Sequence, residues 1–173
     1  MKLGFIGTGN ISSDVITGIC NSKISFKRIV VSPRNKQKAQ KLKKKFKRVS
    51  IAKSNQDVID KSDWVFLGVV PKVGEKILPR LNFKTNQTIV SFISTIDYAQ
   101  LKKIVKKKAK IVRAIPMPPI SLGKGPVPIF PPDKKVKNFF DKIGTTIEIK
   151  SEKLSKNFWA ISGSMASFYE LLK

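Results

Sequence analysis

Gly7 and Gly9 stand one residue apart in KLGFIGTGNIS, directly after an apolar run and directly before a helix-patterned stretch. The chemistry open to such a pair is phosphate binding. The first glycine turns the chain sharply, the second lets backbone approach a pyrophosphate, and the following helix points its N-terminal N–H groups at the anion. The third position of this fingerprint is Ser12, small enough for helix and strand to pack closely. A glycine pair alone could be an incidental turn; its place between a strand and a helix, at the start of a βαβ unit, favours the dinucleotide reading.

A dinucleotide turn of this type normally has a carboxylate about 20 residues on to hold the ribose hydroxyls. None exists here: between Asp14 and Asp57 the chain has no acidic residue, and the second strand runs out in VVSPRNK. Ser32, Arg34 and Lys36 offer a hydroxyl and cations at that point. A carboxylate would repel a 2′-phosphate, whereas these groups would bind one, so the sequence predicts NADP rather than NAD. Arg34 as a plain surface cation is the competing reading.

Residues for acid–base or metal chemistry are scarce. Histidine is absent and Cys20 is the single cysteine, which excludes imidazole catalysis, a disulfide framework and a Cys/His zinc site. Without a histidine to activate it, Cys20 reads as a small buried apolar residue. Catalytic residues stay unassigned, and no metal is expected. Hydride transfer requires little beyond an oriented nicotinamide in a dry pocket, because the cofactor carries the hard chemistry.

The elements that must position this turn alternate. Strands KLGFI, RIVVS, VSIA, WVFLGVV, TIVSFI and KIVRAI are separated by helical stretches from Ile11 to Ile19, at NKQKAQKLKKKFKR, NQDVID, VGEKILPRL and DYAQLKKIVKKK. Strands that are almost continuously apolar, alternating with helices, predict an α/β fold: a doubly wound, Rossmann-type, mainly parallel sheet covered on both faces. After Ile115, PMPPISLGKGPVPIFPP predicts an extended loop with VPIF as an edge-like strand, since proline donates no ladder bond. A helix KKVKNFFDKI and a strand TIEIK follow. Residues 1–150 are expected to form the nucleotide-binding domain. Residues 151–173, with Phe158, Trp159, Ile161, Met165, Phe168, Tyr169 and Leu172, are unusually apolar for a terminal helix: one reading packs them back on the sheet, and the sharper one makes them the start of a second helical domain, truncated or incomplete here, for dimerisation or substrate binding.

The formal charge is +24, from 35 Lys and Arg against 11 Asp and Glu. In the lysine-rich helix Ala39, Leu42 and Phe46 share one face and leave the lysines solvated; Leu101, Ile104 and Val105 repeat the pattern. Basic charge spread over several helices with few interleaved aromatics argues against a nucleic-acid groove. No apolar run reaches the ~18 residues of a membrane span. A cytoplasmic protein acting on a small molecule is expected. A catalytically inactive nucleotide-binding module and a basic nucleic-acid binder are the rival classes.

GFIGTGNIS, NQDVIDKSDWVFLGVVP, VRAIPMPPISLGKGPVPIF and SGSMASFYELL resemble, in order and spacing, the pyrroline-5-carboxylate reductase family. The resemblance covers essentially the whole chain but only the first part of that family, whose helical second domain runs on further. It implies an oxidoreductase passing hydride from NADPH to a cyclic imine carboxylate or a related imine or carbonyl compound, in proline biosynthesis. It also implies cofactor contacts at Gly7, Thr8, Gly9, Asn10, Ile11, Ser32, Arg34, Asn55, Gly68, Val69, Val70 and Pro71; Asn55 reads equally as the N-cap of its helix. Three departures stand out. Met117-Pro118-Pro119 replaces an Asn-Thr-Pro loop, Met165-Ala166 replaces Gly-Pro, and Val70 replaces a lysine. Ser162 and Ser164 are the hydroxyls that the resemblance offers as proton donors, and a helix cap is the plainer reading of both.

Overall fold

The computed structural model describes residues 1–106 and 109–158. Six strands alternate with helices: β1 (Lys2–Ile6), α1 (Asn10–Asn21), β2 (Arg28–Val31), α2 (Lys36–Lys45), β3 (Val49–Ile51), α3 (Asn55–Asp60), β4 (Trp64–Leu67), α4 (Pro71–Ile77), β5 (Thr88–Ser91), α5 (Tyr98–Val105) and β6 (Lys110–Ala114). β7 (Pro126–Phe130), α6 (Lys134–Phe140) and β8 (Thr145–Glu148) complete the unit, and residues 152–158 are helical.

One eight-stranded sheet runs in the order β3-β2-β1-β4-β5-β6-β7-β8. β1 to β6 are mutually parallel, β7 is antiparallel to β6, and β8 is parallel to β7. The expected doubly wound α/β sheet is therefore present. Strand order reverses between β1 and β4, the place where open sheets of this kind hold their ligands.

The period-two alternation of strands divides the core into two layers. Leu3, Phe5, Ile29, Val31 and Phe66 face α1, α2 and α6, with Phe5 and Phe66 stacked at 4.5 Å. Ile6, Val30, Val65 and Leu67 face Val58 and Ile59 of α3 and Leu101 and Val105 of α5. Ala39 and Leu42 are buried and Phe46 packs beside them, so the α2 lysines lie on the solvated side as the helical spacing predicts. Asp97 caps α5 in a reciprocal capping box with Gln100.

Two expectations need correction. The stretch VGEKILPRL is not one helix: α4 ends at Ile77 and a 3₁₀ turn spans Leu78–Arg80, because Pro79 cannot extend an α-helical ladder. VPIF is not an edge, since β7 lies between β6 and β8. Its prolines are tolerated because the β8 pairing uses Gly125 and Ile129, whose carbonyls accept from Thr145 and Ile149 at 2.9 Å. Pro128 gives only its carbonyl, to the Ile115 N–H at 2.9 Å. The edge on this side of the sheet is β8, where the Thr146 N–H is already taken by Asp141 Oδ1 at 3.0 Å. Trp159, Ile161, Ser162, Ser164, Met165, Ala166, Phe168, Tyr169 and Leu172 lie outside the described residues.

Candidate functional site

A cleft of about 480 Å³ opens where strand order reverses. Gly7, Thr8 and Gly9 form its floor, Ser32, Arg34, Asn35 and Lys36 its rim at the end of β2, and Gly68, Val69, Val70, Val73 and Ile77 its far wall, with Asn55 between. Among the described residues, the only ionisable groups in this lining are the cations Arg34 and Lys36, which suits an anionic ligand.

Gly7 has φ +101°, a conformation side-chain-bearing residues rarely adopt. A Cβ there would stand 2.4 Å from the Gly68 carbonyl oxygen. Its N–H donates to Ser32 Oγ at 2.9 Å, so the buried Ser32 braces the turn as well as lining the cleft. Gly9 is the N-cap of α1, with no side-chain cap and no acidic residue in the first turn. A Cβ on Gly9 would meet only the Gly68 oxygen, at 3.8 Å, so space above it is open. The first N–H groups of a helix have no intrahelical acceptor, and here no side chain caps them either.

Ser12 is fully buried, and a Cβ on Gly68 would lie 2.0 Å from its Oγ. The small third position of the fingerprint therefore lets α1 press against the end of β4. Thr8 Oγ1 and Ser12 Oγ are buried with no hydrogen-bond partner among the described residues. An uncapped helix start, a cationic rim and an unsatisfied Thr8 hydroxyl together fit a dinucleotide phosphate.

Of the residues expected to touch cofactor, Gly7, Thr8, Gly9, Ser32, Arg34, Asn55, Gly68, Val69 and Val70 line this one cleft. Asn10, Ile11 and Pro71 do not. Asn10 turns its side chain to Lys38, whose Nζ donates to Oδ1 at 2.5 Å; it and Ile11 can offer the cleft only backbone N–H groups. Pro71 opens α4. Asn55 is not the cap of α3: Ser54 Oγ accepts the Asp57 N–H at 3.1 Å, and Asn55 is the first helical residue. Asn35, Val73 and Ile77 were missed. Val73 and Ile77 are four apart on α4, so helical periodicity would have placed them on one face.

Beside the cleft, a groove between α1 and α2 is lined by Asn10, Asp14, Thr17, Lys38 and Lys41. Burial raises the Asp14 carboxyl, opposed by Lys38. Burial also pushes the Cys20 thiol up to about 11, against the pull of Arg48 and Lys45, which keeps it protonated at neutral pH. Among the described residues no cluster of His, Cys, Asp or Glu could hold a metal, and no helix is long and apolar enough to cross a membrane.

A cleft at the switch point, floored by a glycine turn and an uncapped helix, defines a Rossmann-type nucleotide-binding domain. The chain belongs to the family described as NADP oxidoreductase, coenzyme F420-dependent, whose model matches residues 2–95. Within that family the similarity is to pyrroline-5-carboxylate reductases. The enzyme numbered 3 from Danio rerio is 30% identical over 128 residues, covering 72% of this chain and 44% of that protein. The Haemophilus influenzae enzyme is 24% identical over 182 residues, covering 98% of this chain and 65% of its own length. The crystal structure of the Streptococcus pyogenes enzyme superposes with a TM-score of 0.82 at 28% identity, covering 99% of this chain and 66% of that one. A reductive aminase from Aspergillus terreus shares the fold, with a TM-score of 0.75 at 16% identity over 99% of this chain and 63% of its own. The chain thus spans less than two thirds of the length of the curated relatives named here.

Proposed function

We propose that this chain supplies the NADP-binding domain of an NADPH-dependent imine reductase of the pyrroline-5-carboxylate reductase type. The observation that carries this reading is the cleft itself, with a glycine turn at its floor and Arg34 and Lys36, in place of a carboxylate, at the end of β2. The Plasmodium falciparum pyrroline carboxylate reductase structure, which has NADP bound, shares the fold with a TM-score of 0.82.

NADPH held in this cleft would supply a hydride for the imine carbon, with a proton required at the nitrogen. The residues of this chain bind and orient. The N–H groups that open α1 would hold the pyrophosphate, Thr8 would add a hydroxyl, and Arg34 with Lys36 would hold the 2′-phosphate. Val69, Val70, Val73 and Ile77 give an apolar wall that excludes water from one side. Among the described residues no carboxylate, thiol or phenol lines the cleft, so none of them supplies the proton there. Ser162 and Ser164 lie outside the described residues.

Residues 1–150 form the nucleotide domain and 151–173 open a helical domain that pairs two copies, in a cytoplasmic enzyme. Support comes from the helix at 152–158, where Phe158 packs on Ile115 and Ile149, and from the greater length of the relatives.

NADPH oxidation in the presence of pyrroline-5-carboxylate tests the activity, with an imine lacking the carboxylate as a second substrate. Turnover of either imine supports the reading. A protein that binds NADPH yet reduces neither refutes the reductase.

A further inference from the structure

We infer that the ion pair between Arg113 and Glu152 holds the 152–158 helix in register with the wall of the nucleotide cleft, making both positioning residues for the reduction proposed above. The inference rests on that reading for its catalytic consequence and on contacts in the fold for its mechanics. Arg113 is 1% exposed and is the largest fully buried side chain described. A guanidinium is expensive to bury unless it is paired and hydrogen-bonded, so its partners report what the fold uses it for.

Among the described residues, two of those partners come from segments far apart in sequence. Nη2 donates to the Ser94 carbonyl, in the loop leaving β5, at 2.7 Å. Nη1 lies 3.6 Å from Oε1 of Glu152. The same Oε1 accepts the N–H of Tyr98, the first residue of α5, at 2.8 Å. One carboxylate at the start of the 152–158 helix is thereby tied both to the penultimate residue of β6 and to the opening of α5. Further along, Phe158 packs on Ile115 and Ile149, so the helix is attached at a polar point and at an apolar one.

The Ser94 loop carries the connection to the cleft. Two residues before Ser94, Phe92 approaches Gly68 so closely that a Cβ on that glycine would lie 3.5 Å from Phe92 Cδ2. Ile93 packs on α4, where a Cβ on Gly74 would lie 3.0 Å from Ile93 Cδ1. Gly68 lines the cleft, and Gly74 follows Val73, which does the same. An unbroken chain of contacts therefore runs from Glu152 through Arg113 and Ser94 to the wall opposite the phosphate rim. The geometry suits Arg rather than Lys, because a planar fork reaches a carbonyl and a carboxylate together, whereas an ammonium is a point charge.

The test uses Glu152→Ala and Glu152→Gln in the full-length protein, read by hydrogen exchange at the Tyr98 amide and residues 152–158. A second readout divides imine reduction into KM for NADPH and kcat. With Glu152→Ala, exchange at Tyr98 and across the helix should accelerate by about tenfold or more as the acceptor is lost. kcat should fall about tenfold at unchanged KM for NADPH, since an orientation-dependent step is lost while cofactor binding is not. Glu152→Gln restores the acceptor but not the charge and should recover most of the Tyr98 protection. A variant that is only structural would lower the unfolding temperature with no such split. Unchanged exchange in Glu152→Ala, or KM for NADPH rising with kcat unchanged, overturns the inference. If the reductase reading itself is wrong, wild type reduces no imine, and the exchange arm still decides whether the pair holds the helix.

Discussion

The two glycines of the turn have separable jobs, and replacing each by alanine should separate them. At Gly7 a methyl meets the Gly68 oxygen at 2.4 Å, the Gly68 carbonyl carbon at 2.7 Å and Val69 Cγ1 at 2.9 Å, on a backbone with φ +101°. A positive φ costs a side-chain-bearing residue about 1–2 kcal/mol, and overpacking against backbone adds about 1–3 kcal/mol. For a domain of this size each kcal/mol lowers the unfolding temperature by about 2–4 °C, so Gly7→Ala should unfold about 4–20 °C below wild type. At Gly9 the backbone has φ −65° and ψ 179°, which alanine adopts freely, and the nearest atom is 3.8 Å away. The fold should therefore lose at most about 1 kcal/mol, the cost of alanine at an N-cap. What Gly9→Ala should lose is the close approach of phosphate to the amides at the start of α1. One charge-assisted hydrogen bond is worth about 1.5–3 kcal/mol, so NADPH should bind about ten- to a hundredfold more weakly. Thermal unfolding and NADPH titration of the two variants side by side provide the assay. Wild-type affinity in Gly9→Ala, or wild-type stability in Gly7→Ala, refutes the reasoning.

Other consequences can be checked separately. Arg34→Ala should weaken NADPH about tenfold or more and leave NADH nearly unchanged, because only the 2′-phosphate loses its charge-assisted partner. Acid unfolding should report Asp133: burial raises its carboxyl, but Lys110 at 2.6 Å and the Val136 and Lys135 amides outweigh that and hold it below the usual carboxylate range. Its contribution is thus fully present above the unfolded value, near pH 4, and is lost as pH falls through the lower folded one; Asp133→Asn should flatten that limb of the stability curve. Cys20, with its thiol near 11, should react with iodoacetamide at pH 8 about a hundredfold more slowly than a free thiol; in denaturant it should react at the ordinary rate.

Much of this fold can be read in the sequence because its signals are local. Apolar strands of a two-sided sheet, the Ala39 and Leu42 spacing and the glycine pair each specify their element without distant contacts. What was not legible depends on partners far along the chain. Pro128 looks like an edge residue until Gly125 and Ile129 are seen to carry the β8 ladder. Asn55 looks like a cap until Ser54 is seen to take the Asp57 amide. Ser32 reads as a ligand hydroxyl, yet it also braces Gly7. Arg113 and Glu152 lie 39 positions apart, and no motif announces that their side chains meet. The apolar wall from Val73 and Ile77 is within reach of helical periodicity, since the two stand four apart on α4.

The most direct test of the central claim is a paired titration of the wild-type protein with NADPH and NADH, followed by the nicotinamide fluorescence. Quenching of Trp64 would be the weaker signal, because this residue opens β4 at the end of the sheet opposite Gly68. Saturable binding with NADPH favoured about tenfold or more over NADH is the predicted result, as expected for a rim of Arg34 and Lys36 with no ribose-binding carboxylate. Equal affinity for the two nucleotides would remove the role assigned to the β2 rim, and binding of neither would contradict the assignment of the cleft itself.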